Sequence, residues 1–96
     1  MRIDDLIKEK REDILHIAAE HGATNVRIFG SVARDEADEG SDVDFLVDME
    51  PGRSLMDMGR LLADLRDLLG REVDVVTEQS IYWLLRRRIL KEAKPL

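Results

Sequence analysis

Between Asp42 and Thr77 the sequence spells out a strand, a capped helix and a second strand. Asp42 to Asp48 alternates, with Val43, Phe45 and Val47 on one face and Asp42, Asp44 and Leu46 on the other. Ser54, with Asp57 three residues on, has the pattern of a capping box. The helix it opens repeats Leu55, Met58, Leu62, Leu65 and Leu69 at helical spacing, and Gly70 ends it. Val73 to Thr77 is β-branched and reads as a strand. The helix spans about 22 Å and the strand before it about 23 Å. The helix can therefore return the chain to its starting end, and a right-handed crossover lays the two strands parallel.

The flanking segments extend this unit. Asp4 or Asp5 can cap a helix running to about His21, with Ile7, Ile14, Ile17 and Ala18 on one face and Gly22 as its stop. Asn25 to Phe29 alternates as a short strand, broken by Gly30-Ser31. Ser31 to Ala37 has the length of two helical turns, and Asp38 to Ser41 is a polar loop. Ile81, Leu84, Leu85 and Ile89-Leu90 mark a last helix. The expected order is αβαβαβα: an α/β (α+β) fold with a small mixed three-stranded sheet and flanking helices, one domain over residues 1–96. The short first connection makes strands one and two antiparallel. The end of strand one and the starts of strands two and three then meet at one edge.

Charge narrows the function. The net charge is −6, but from Gln79 onward five basic residues (Arg86, Arg87, Arg88, Lys91, Lys94) face the single acid Glu92. That stretch is +4, and the remainder is −10. An acidic body argues against direct nucleic-acid binding, which needs a basic surface to displace counterions. The absence of cysteine removes disulfide and thiolate chemistry and suits a reducing, cytoplasmic setting. The opening residues, with Arg2, Asp4 and Asp5, lack the apolar region of a signal peptide, and the longest apolar run, Ile81 to Leu85, is far too short to span a membrane.

Three carboxylates at one edge are the chemical centre of the sequence. Asp42 and Asp44 share a strand face, and Asp74 sits near the start of the next strand. Like charges about 5 Å apart repel by roughly 3 kcal/mol at an effective dielectric of 20. A hard divalent cation removes that repulsion. Magnesium takes oxygen ligands and keeps positions open for water and phosphate. Two ions bridged by shared carboxylates would stabilise both the attacking and the leaving oxygens of a nucleotidyl transfer. The Gly30-Ser31 turn supplies an anion site: Gly30 permits close backbone approach, the amides of Val32, Ala33 and Arg34 at a helix start are free, and Ser31 adds a hydroxyl.

The run Gly30-Ser31-Val32-Ala33-Arg34, followed by Ser41-Asp42-Val43-Asp44-Phe45-Leu46-Val47, resembles the polymerase-β nucleotidyltransferase superfamily. In particular it resembles the minimal nucleotidyltransferases (MNT, MntA-like), many of which are antitoxins. The likeness continues through Leu61-Leu62, Leu65, Leu68 to Arg71, Val73 to Thr77 and Arg88 to Ala93, nearly the whole chain. It implies transfer of AMP from ATP with magnesium, often onto a HEPN-domain ribonuclease toxin in a hetero-oligomer. It also implies Gly30 and Ser31 as nucleotide-loop residues and Asp42, Asp44 and Asp74 as the metal triad. Asp35 departs from the pattern, because many relatives carry Gly there.

Other residues read two ways. Arg34 suits a phosphate contact or a pair with a nearby acid, and Glu36 a substrate contact or a solvated side chain. Asp48 shares the Asp42 face but lies about 13 Å from Asp44, too far to share a metal, and reads as a solvated strand end. His16 and His21 sit on a charged helix and read as exposed. Tyr82, Trp83 and the Arg86 to Arg88 run suit a partner surface, packing against the body, or plain solvation. An EF-hand read from Asp42 fails at Val47 and Arg53, where Gly and Glu are required. No phosphate loop of the Gly-Lys type occurs. Three functions follow: an AMP transferase acting on a partner protein's tyrosine within a type VII toxin–antitoxin pair, a non-catalytic antitoxin that masks the toxin by contact, and a small-molecule nucleotidyltransferase. The size of the chain weighs against the third, since nothing remains to enclose a small substrate.

Overall fold

The computed structural model describes residues 2–96. The elements are α1 (Ile3–Glu9), α2 (Arg11–Glu20), β1 (Ala23–Phe29), β2 (Val43–Met49), α3 (Leu55–Leu69), β3 (Val73–Val76), a 3-10 turn (Glu78–Ser80), α4 (Trp83–Glu92) and β4 (Lys94–Pro95). The sheet order is β3-β2-β1-β4, with β1–β2 antiparallel and β2–β3 parallel.

The central βαβ unit follows its sequence pattern closely. Ser54 caps α3, accepting from the Met56 amide, while Asp57 accepts from the Ser54 amide at 2.9 Å. Gly70 ends the helix in the left-handed conformation (φ 64°) and donates its amide to the Arg66 carbonyl. Leu61, Leu65 and Leu69 bury the inner stripe of α3, each worth roughly 1.5–3 kcal/mol against exposure. Leu55 departs from the expected stripe and is 85% exposed, because the first turn of α3 runs past the sheet. On β2, Val43, Phe45 and Val47 join Val26, Ile28 and Val73 in one core with Ile7, Ile14 and Ala18 of the first two helices. Leu46 points to the opposite face and is buried as well.

Several expectations need correction. The first helix is two: the chain leaves helical geometry at Lys10 (ψ 7°), although Lys10 still donates to Leu6 and Ile14 to Lys10. Its N-cap is Arg2, so Asp4 and Asp5 lie inside the first turn, where they favour the dipole without capping. Residues 31–37 form turns and no helix, because Asp35 adopts φ 57° and ends the winding after a single turn. The sheet has four strands where three were expected: Lys94–Pro95 adds an edge beside Arg27 and Ile28. A two-residue strand ending in proline carries too little pattern to be legible. Strand β1 also starts earlier than expected, at Ala23, with a register irregularity at Asn25 (φ 49°), a residue that tolerates the left-handed region.

Candidate active site

The register of the sheet builds the site. Phe29 pairs with Asp44 across β1–β2, and Asp44 pairs with Asp74 across β2–β3. Asp42, two residues before Asp44 and on its face, stands exposed just ahead of β2. The backbone therefore brings the end of β1 and all three carboxylate positions to one edge, as the sequence led us to expect.

Gly30 follows Phe29 directly, with φ 76°. A Cβ added to it would overlap Asp44 Oδ2. Two independent constraints thus require glycine: the left-handed backbone and the carboxylate seated against it. Beyond it, the Arg34 amide donates to the Gly30 carbonyl at 3.1 Å and the Glu36 amide to Ser31 at 2.9 Å. The Arg34 amide is therefore engaged, which corrects the expected set of three free amides to those of Val32 and Ala33. Ser31 is half-buried at the mouth of the turn.

Electrostatics mark Asp44 as the stressed member. Burial, then the charges of Asp74 and Asp42, push its carboxyl up to about 6, opposed by Arg34. Among the described residues no three His, Cys, Asp or Glu side chains close into a ready metal-ligating cluster. Carboxylates that repel one another have no reason to converge without a counter-charge, whereas the backbone register holds them at one edge. An all-oxygen donor set, a carboxylate whose charge its neighbours disfavour and a glycine cradle beside it together fit a hard divalent cation such as magnesium.

Arg34 lies between two acids, with Nε 3.0 Å from Glu36 and Nη1 2.8 Å from Glu92 at the end of α4. On the other side, Arg71 reaches from the loop between α3 and β3 into the loop before Asp42, where Nη2 donates to the carbonyls of Asp38, Glu39 and Ser41. Neither Arg71 nor Glu92 was singled out by the sequence as a site residue. Glu92 had left a signal, the lone acid in a basic segment, whereas nothing in the sequence announces the carbonyl partners of Arg71. Asp48 is no solvated strand end: Arg27 and Asn25 hold it at 2.8 and 3.0 Å, away from the triad. His21 is also corrected from exposed to half-buried, its Nε2 2.6 Å from Asp64 and linking α2 to α3, while His16 is exposed. A cavity of about 580 Å³ lies behind the turn among Arg2, Ile7, Arg11 and Leu96 and touches none of the three aspartates. It marks the gap between α1 and the sheet edge, and the chemistry lies elsewhere.

The nucleotidyltransferase domain family matches residues 7–96. The chain belongs to this family. A candidate protein adenylyltransferase of Methanocaldococcus jannaschii is 48% identical over 87 residues, covering 91% of this chain and 94% of that protein. Protein adenylyltransferase MntA of Thermococcus cleftensis is 41% identical over 71 residues, 74% of this chain and 72% of that one. Among solved structures, a candidate minimal nucleotidyltransferase superposes with TM-score 0.86 at 49% identity, covering 96% of this chain and 94% of the other. A toxin–antitoxin complex with AMP-PNP shares the fold alone, at TM-score 0.74 and 20% identity, covering 88% of this chain and 69% of that one. The nucleotidyltransferase is thus an enzyme of the minimal class that its motifs resembled. Among its described residues no helix is long and apolar enough to cross a membrane.

Proposed function

We propose that the protein is a magnesium-dependent adenylyltransferase that moves AMP from ATP to a hydroxyl, a tyrosine in our reading, of a cognate HEPN ribonuclease toxin. It would act as the antitoxin of a type VII pair in the cytoplasm. The observation that carries the chemistry is the alignment of Phe29, Asp44 and Asp74 in register, with Gly30 seated against the Asp44 carboxylate. The relatives' names, protein adenylyltransferases, support nucleotidyl transfer to a protein acceptor.

Asp42, Asp44 and Asp74 would hold the magnesium, which supplies charge neutralisation at the triphosphate. The Gly30-Ser31 turn would receive the phosphates with the Val32 and Ala33 amides and the Ser31 hydroxyl, and Arg34 would add a cation beside them. Asp74, exposed at the rim, would accept the proton of the incoming hydroxyl. The acceptor oxygen bonds to the α-phosphorus, the bond from that phosphorus to the bridging oxygen breaks, and pyrophosphate leaves with the electron pair.

A second reading has its own support. Tyr82, Trp83, Leu84 and Leu85 stand exposed at the start of the basic helix α4, a surface that could mask a toxin by contact alone. Incubation of the toxin with the protein, ATP and magnesium, followed by mass spectrometry and a nuclease assay, separates the two. AMP increments that track loss of cleavage support transfer. Full neutralisation by Asp42→Asn/Asp44→Asn with no change in mass establishes masking.

A further inference from the structure

We infer that Glu92 is a positioning residue for nucleotide binding: it fixes Arg34 at the metal edge and latches α4 to the site. This rests on the reading of Arg34 as a phosphate contact. Glu92 sits at a position that disfavours an acid. It closes a helix, where the dipole disfavours an acid. Yet its side chain is only 15% exposed, and Oε2 accepts from Arg34 Nη1 at 2.8 Å while Oε1 lies 3.7 Å from Arg88 Nε. An acid kept against its local preferences is expected where function sets the residue. Its partner Arg34 follows the Gly30-Ser31 turn, where its own amide donates to the Gly30 carbonyl.

With Glu36 on Nε and Glu92 on Nη1, the Arg34 guanidinium is held from two sides by elements far apart in sequence. Such a clamp restricts rotamers before the ligand arrives, which is what a bidentate phosphate contact needs. It also joins α4, which has no buried residue, to the nucleotide turn.

The test is titration of the intact protein with AMP-PNP in magnesium chloride, by calorimetry. Glu92→Gln should weaken binding about tenfold, the scale of a lost hydrogen bond between charged groups, with the melting temperature of the free protein nearly unchanged. Arg34→Gln should weaken it at least as much, and the double variant no further than Arg34→Gln alone. Arg88→Gln, which removes the exposed partner of Glu92, should bind as the wild type does. Wild-type affinity in Glu92→Gln, or multiplicative losses in the double variant, would overturn the inference. Asp44→Asn separates this from the underlying reading: unaltered affinity there removes the active-site assignment itself, whereas loss there with wild-type binding in Glu92→Gln removes only the role of Glu92.

Discussion

Replacing Gly30 with alanine would force a left-handed backbone on a residue with a Cβ and drive that Cβ into Asp44. The backbone term alone costs about 1–2 kcal/mol, and the clash displaces the carboxylate that the site depends on. The expected outcome is a lower melting temperature together with near-complete loss of transfer; wild-type transfer in Gly30→Ala would remove the cradle from the argument. Asp44 gives the complementary case. Its folded value near 6 lies above its ordinary 3.8, so between those values the native state binds more protons than the unfolded chain, and stability falls as pH rises through that window. Above pH 6 the penalty is fully present, and acidification toward pH 4 relieves it. Asp44→Asn should therefore stabilise the metal-free protein at neutral pH, by about 1 kcal/mol once solvent screening is discounted, or roughly 4–8 °C. Melting curves across pH 4–8 should show the wild type approaching the variant in acid. The positions of these residues were legible in the sequence because strand alternation fixes which side chains share a face. Strand order likewise brought the Gly30-Ser31 turn to the edge that holds Asp44; only the close contact that leaves no room for a Cβ at Gly30 was not legible, since it depends on the Asp44 side chain's placement.

Legibility at the level of elements tracks how local the deciding forces are. Helix α3 was readable to both ends because Ser54, Asp57 and Gly70 state its boundaries in side-chain chemistry. Ser54→Ala should remove the cap and cost about 1 kcal/mol, read as a melting shift with nucleotide affinity unchanged; loss of affinity without loss of stability would contradict a purely structural cap. The segment after Gly30 misled because its composition suits a helix, while the geometry of the turn, with Asp35 at φ 57°, stops the winding. Strand β4 exists only because β1 offers it an edge. Its pairing is tertiary and leaves no periodic trace in two residues. The same holds for Arg71 and Glu92, whose partners come from other elements.

Across the whole molecule, charge and hydrophobicity are segregated in a way that points outward. The acidic body carries the carboxylate edge, while α4 presents Arg86, Arg87, Arg88 and Lys91 alongside exposed Tyr82, Trp83, Leu84 and Leu85. Trp83 is 72% exposed, with its ring 6.0 Å from that of Tyr82. Exposed aromatic side chains clustered beside arginines are the composition of an interface centre. The carboxylate edge is open, with Asp42 and Asp74 exposed, so a protein acceptor would complete the cleft with its own surface. If α4 is where that surface docks, Trp83→Ala/Leu84→Ala should weaken association with the toxin and slow its modification at limiting toxin by tenfold or more, the scale of a lost interface anchor. Its affinity for AMP-PNP and its melting temperature should stay at wild-type values, because neither side chain is buried in the free protein. Equal rates of AMP attachment for wild type and variant at limiting toxin would exclude α4 as the docking surface. A parallel fall in nucleotide affinity would instead show that these side chains act through the Glu92–Arg34 latch at the far end of the same helix.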